Sequence, residues 1–128
     1  MSRVAITYRI KSTKKLGSLG FSAIKNKALG NSYALSLVFV TDAKSAVLNK
    51  TYRRKNKPTD ILAFPLSKKE GEIIIAPTVA RRKARYFGRN YENYILFLFI
   101  HGLMHLIGHT HGSRMEAAER KIRKQYNV

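Results

Sequence analysis

The chain has 128 residues, with 25 Lys and Arg against 7 Asp and Glu, a formal charge of +18, and no Cys or Trp. Typical domains run ~100–150 residues, so a single domain over residues 1–128 is expected, and a hydrophobic fraction of 45% excludes a disordered basic tail. Without Cys, disulfides, thiolate metal sites and Cys nucleophiles are excluded, which leaves His and carboxylate as metal ligands.

Charge of this size calls for a polyanionic partner, and nucleic acid comes ahead of an anionic membrane because no basic amphipathic helix carries exposed Trp or Phe anchors. The longest apolar stretch, Tyr94 to Gly108, is interrupted by His101 and His105 and falls short of the ~18 uncharged residues of a membrane span. The opening MSRVAITYRIKSTKK has no continuous apolar run before its basic cluster, so no export signal is expected and a cytoplasmic location follows. Basic clusters at Arg9 to Lys15, Lys50 to Lys57, Lys68 to Lys69, Arg81 to Arg85 and Arg120 to Lys124 either spread over several faces or gather on one.

In chain order, VAITYRI (4–10) alternates Val4, Ile6, Tyr8 and Ile10 against polar or small residues, the period of a strand with one face buried. Phe21, Ile24 and Ala28 keep helical spacing and Gly30 closes that segment; ALSLVFV (34–40) is a second strand. Asp42 stands as an N-cap before AKSAVLNKTYRR, a short helix expected to turn Ala43, Val47 and Leu48 to the core. DILAF (60–64) is a strand stopped by Pro65, and GEIIIAP (71–77) is a strand buried on both faces. From Pro77, Ala80, Ala84 and Phe87 share a helical face that ends at Gly88. Asn90 caps the next helix, which is apolar nearly all round from Tyr91 to about Leu106 and therefore expected to be wrapped by the rest of the protein. A capping box at Ser113 and Glu116 opens a last helix with Met115, Ala118, Ile122 and Tyr126 on one stripe.

All four histidines fall in HGLMHLIGHTHG, residues 101–112. His101 and His105 are i, i+4, which stacks both imidazoles on one helical face with Cβ atoms ~5–6 Å apart. Gly108 breaks the helix and lets His111 approach from another direction, so three imidazoles converge and leave the fourth position of a tetrahedral zinc to water, the catalytic form of such a site. Two imidazoles left without partners in an apolar helix would each cost on the order of 1–3 kcal/mol, a cost a metal removes. His109, beside the turn, is not taken as a ligand. Gly102 follows the first His, so the Glu base of the H-E-x-x-H metalloproteases is missing; Gly there lets a backbone or substrate approach the metal.

At these residues the chain resembles the YbeY endoribonucleases, the rRNA maturation factors. Residues 101–111 follow their His-Gly-x-Leu-His-Leu-x-Gly-Tyr-Asp-His signature except at Met104, His109 and Thr110. LNKTYRRKNKPTDILAFP (48–65) and GEIIIAP, with Glu72 for the family's Asp, resemble two further blocks in family order, and the blocks together span about half the chain, 48–111. The resemblance implies an α+β fold with a mixed four-stranded sheet, about five helices and a central metal-binding helix. It implies a zinc-dependent endonuclease for single-stranded RNA, with one zinc per chain, acting in ribosomal RNA maturation, notably at the 3′ end of the small-subunit RNA, and in ribosome quality control. Ribosomes or pre-ribosomal particles are the implied partners, and the oligomeric state is not implied. His101, His105 and His111 are the implied ligands and Arg53 the implied catalytic arginine.

A guanidinium suits that role because it binds two phosphoryl oxygens at once as charge grows on them. Asp60 is taken as structural, bonding backbone amides at the turn into its strand. Tyr8, Tyr33, Tyr52, Tyr86 and Phe87 are taken as core and would stack unpaired bases only if exposed. Thr110, where the family has Asp, would orient an imidazole without charge and so weaken metal binding. The alternative class is a ribosome-associated RNA-binding protein whose metal is structural.

Overall fold

Alternating apolar residues become four strands of one mixed sheet, in the order β1-β2-β4-β3, in a computed structural model that describes residues 4–108 and 112–128. β1 (Val4–Tyr8), β2 (Ala34–Phe39) and β4 (Glu70–Ile75) run parallel, and β3 (Ile61–Ser67) joins β4 antiparallel at the edge. Around them lie a 3-10 helix (Lys11–Leu19) and five α-helices: α1 (Phe21–Leu29), α2 (Asp42–Arg53), α3 (Pro77–Tyr86), α4 (Tyr91–Ile107) and α5 (Ser113–Gln125). The 3-10 segment has no counterpart in the periodicity of the sequence. This is the expected α+β class with a four-stranded mixed sheet.

β4 is buried on both faces because its isoleucines serve two cores. Ile73 and Ile75 join Leu35, Leu37 and Phe39 against α1 and α4, while Ile74 packs with Val40, Leu62, Ala76 and Val79 on the opposite face. α4 enters the larger core almost all round: Ile95, Phe99, Ile100 and Leu103 are fully buried. Asn90 accepts the backbone N–H of Asn93 at its start, and Gly108, at φ 95°, ends it in the left-handed conformation. No helix among the described residues is long and apolar enough to cross a membrane.

Several expectations are corrected. β3 continues through Pro65, which an edge strand tolerates, with a register irregularity between Pro65 and Ser67. Thr41, not Asp42, caps α2, accepting the N–H of Lys44. α2 buries Ser45 and Asn49, whereas Ala43 and Val47 are exposed and Leu48 is half-buried. Phe87 leaves the face of Ala80 and Ala84 and is exposed. Gly112 holds the cap position of α5 without a side-chain cap bond and Ser113 is its first helical residue, so the expected capping box is not formed.

Candidate active site

Because α4 is anchored by its apolar face, the turn-to-turn spacing of His101 and His105 is fixed by packing. Their Nε2 atoms face each other at 3.1 Å. Both rings line a cavity of about 520 Å³ with Arg53, Asp60, Tyr94 and Phe97, and Ile61, Ala63 and Pro65 of β3 complete its wall. A larger cavity of about 700 Å³ lies at the start of α4, beside Thr78, Arg81 and Tyr91, and neither described histidine lines it. The smaller one is where chemically versatile groups converge.

His101 is oriented from behind by Glu119 of α5, whose carboxylate bonds its Nδ1. A carboxylate at Nδ1 favours the tautomer with its proton there, which turns Nε2 toward the cavity and His105. Glu119 is buried among the residues of α5 that meet the core. The sequence reading missed it, yet a signal was present. At i+4 from Met115 and i−3 from Ile122, it is an acid on the apolar stripe of a basic helix.

The spacing of the two described imidazoles suits a zinc ion, and among the described residues no third His, Asp or Glu joins them to complete a set. Two nitrogens bound at ~2.0–2.1 Å to one tetrahedral zinc lie ~3.3 Å apart, close to the observed separation. The third expected ligand, His111, lies outside the described residues, as do His109 and Thr110.

Arg53, the last residue of α2, is exposed and lines the same cavity. The loop behind it is held by polar side chains of α2. The Ser45 hydroxyl donates to the Thr59 carbonyl at 2.5 Å and accepts the Thr59 N–H at 2.9 Å. Asn49 Nδ2 donates to the Lys57 carbonyl at 2.8 Å. These bonds explain why α2 buries Ser45 and Asn49 rather than the aliphatic residues expected there.

Asp60, which lines the cavity, bonds side chains rather than the backbone amides expected of it. Its Oδ2 accepts the Tyr94 hydroxyl at 3.1 Å and pairs with Lys83 Nζ at 3.2 Å, joining β3 to α4 and α3. Burial, and after it the Asp60 charge, push the Tyr94 phenol well above its ordinary range. Gly102 lines the cavity beside the histidines and also lets the helix sit close on the sheet: a Cβ there would lie 2.9 Å from Ile73 Cδ1 and 3.1 Å from Ile61 Cδ1.

Three of the basic clusters reach this side. Arg53 lines the cavity, Lys83 pairs with Asp60 of its wall, and the Arg123 guanidinium lies 5.2 Å from the ring centre of Phe97.

The family model described as Endoribonuclease YbeY matches residues 7–127. The Endoribonuclease YbeY of Aquifex aeolicus is 33% identical over 133 residues, covering 98% of this chain and 88% of that protein. That of Nautilia profundicola is 36% identical over 101 residues, 73% of each chain. The solution structure of TM1509 from Thermotoga maritima matches with a TM-score of 0.71 and 29% identity, over 98% of this chain and 89% of that one.

Proposed function

The chain belongs to the Endoribonuclease YbeY family, and from that premise we propose that it is a zinc-dependent endoribonuclease that cuts single-stranded RNA. Its place of action in this proposal is the maturation of ribosomal RNA, notably the 3′ end of the small-subunit RNA, and ribosome quality control, on pre-ribosomal particles in the cytoplasm. The observation that carries the reading is the meeting of His101 and His105 through facing Nε2 atoms on the wall of a cavity that Arg53 also lines.

His101 and His105, with His111 as the third ligand, would hold the zinc, which when bound supplies a Lewis acid and lowers the pKa of its water toward neutrality. Glu119 keeps the His101 proton on Nδ1, so that Nε2 presents its lone pair. Arg53 binds two oxygens of the phosphodiester and stays charged as negative charge grows on them. Asp60 fixes the wall, and the Ser45 and Asn49 bonds tie the loop that follows Arg53 to the helix that carries it. The net charge of +18 draws the phosphate chain to the protein.

Elemental analysis of protein purified without chelator, combined with cleavage of a single-stranded RNA, tests the proposal. Zinc near one equivalent is expected. His105→Ala should abolish cutting, and Arg53→Ala should reduce it by about a hundred- to a thousandfold, while both variants still bind RNA. A wild type that binds RNA but shows no metal-dependent cutting overturns the hydrolase in favour of an RNA-binding protein.

A further inference from the structure

We propose that Tyr86 and Phe87 form a stacking platform for unpaired bases of the RNA strand, placed beside the histidine cavity; this rests on the reading that the cavity acts on single-stranded RNA. Tyr86 is 84% exposed and Phe87 60% exposed, and their rings meet edge to face at 5.0 Å. Large aromatic rings this open to water at the end of a helix contribute little to the core.

The rings do not stand alone. Phe87 stacks on Tyr94 at 6.2 Å, Tyr94 on Phe97 at 5.7 Å, and Phe97 on His101 at 6.4 Å, with interplanar angles of 27°, 24° and 18°. A series of nearly parallel faces thus runs from the surface to the proposed metal ligand. Tyr94 is buried and the Phe97 ring is faced by Arg89 and Arg123, so Tyr86 and Phe87 are where a new ring can be added.

Charge selects the occupant. Arg85 flanks the platform on α3 and is exposed, and the Arg89 guanidinium lies 4.6 Å from the ring centre of Phe97, whereas Lys83 is already paired with Asp60. Cations alternating with open aromatic faces match a phosphate chain with unstacked bases. A duplex matches poorly, because its base faces are already covered. An apolar peptide would have to desolvate these cations without neutralising them.

The test uses the full chain and a short single-stranded RNA carrying 2-aminopurine, whose emission drops when it stacks. Base–aromatic stacking contributes roughly 5- to 150-fold in affinity per base. Phe87→Ala is therefore expected to weaken binding about tenfold and to restore 2-aminopurine emission. Tyr86→Ala should do so by a smaller factor, and Phe87→Trp should retain both signals. The slope of log affinity against log salt should stay unchanged, because no phosphate contact is lost.

Unchanged affinity and emission in Phe87→Ala overturn the platform, as does an equal loss of affinity for duplex RNA. Cleavage by the wild type is scored separately. An active wild type with an indifferent Phe87→Ala sinks the platform alone, whereas an inactive wild type with affinity lost in Phe87→Ala keeps the platform and sinks the hydrolase.

Discussion

The two helices that bring the site together hold their functional residues by opposite means. α4 fixes His101 and His105 by burying an apolar surface, with Ile95, Phe99, Ile100 and Leu103 fully enclosed. α2 delivers Arg53 from an exposed end and turns polar side chains, Ser45 and Asn49, inward to grip the loop ahead of β3. Apolar burial is non-directional and cooperative, so disturbing α4 costs global stability. Hydrogen bonds are directional and individually small, so disturbing α2 shifts one group by a fraction of its reach.

The largest expected effect is on the α4 side. Gly102→Val should lower unfolding stability by about 3 kcal/mol, seen as a lower urea midpoint, because its side chain must enter the contact with Ile73 and Ile61. A midpoint equal to the wild type would show that helix and sheet are less tightly apposed than described.

Next comes the support behind His101. Glu119→Gln should weaken zinc binding by about 10- to 100-fold in competition with a chromophoric chelator, with the overall fold retained by circular dichroism. Equal affinity would mean that Glu119 does not orient the ligand.

On the α2 side, Ser45→Ala should cost about 1 kcal/mol of stability but reduce RNA cleavage by about tenfold or more, since small displacements of a charge-stabilising group are amplified in rate. If stability and cleavage fall in the same proportion, the contrast between the two helices fails.

The smallest effect is alkaline. Below about pH 10, the ordinary phenol value, Tyr94 is protonated in both folded and unfolded chains, and its contribution is fully present. As pH rises further, the unfolded chain ionises first while the folded phenol, raised by burial and then by Asp60, keeps its proton, so stability falls. Tyr94→Phe should therefore flatten the decline of Tm above about pH 10, followed to about pH 11.5. Tyr33 and Tyr91, also raised, and Lys25, lowered by burial and acting in the opposite sense, are common to both proteins. A decline of equal steepness in the variant would remove Tyr94 as a cause.

The same contrast decides what the sequence could reveal. α4 was legible because its apolar run, the Asn90 cap and Gly108 all point one way, and β4 because three isoleucines between Gly and Pro suit a strand with two buried faces. α2 was misjudged because hydrophobic periodicity has no means of registering Ser45 and Asn49 as inward-facing. Its visible aliphatics, Ala43 and Val47, point to water instead. Glu119 was hidden for a related reason: a buried acid is recognised by its distant partner His101, and only its position on the stripe of α5 hinted at it. Asp60 was expected to bond backbone amides, but its partners Tyr94 and Lys83 lie 34 and 23 residues further along and could not be foreseen. Phe87 was expected in the core because helical spacing extrapolated past Tyr86, where α3 stops.

Pro65 has an effect beyond the wall it contributes. An imino residue followed by a register slip interrupts the regular row of main-chain donors on the outermost strand of the sheet. A row so interrupted is a poor template for an incoming extended segment. The rim nearest the histidines is thus protected against edge-to-edge self-association and stays open to a ligand that docks through rings and phosphates instead of amides.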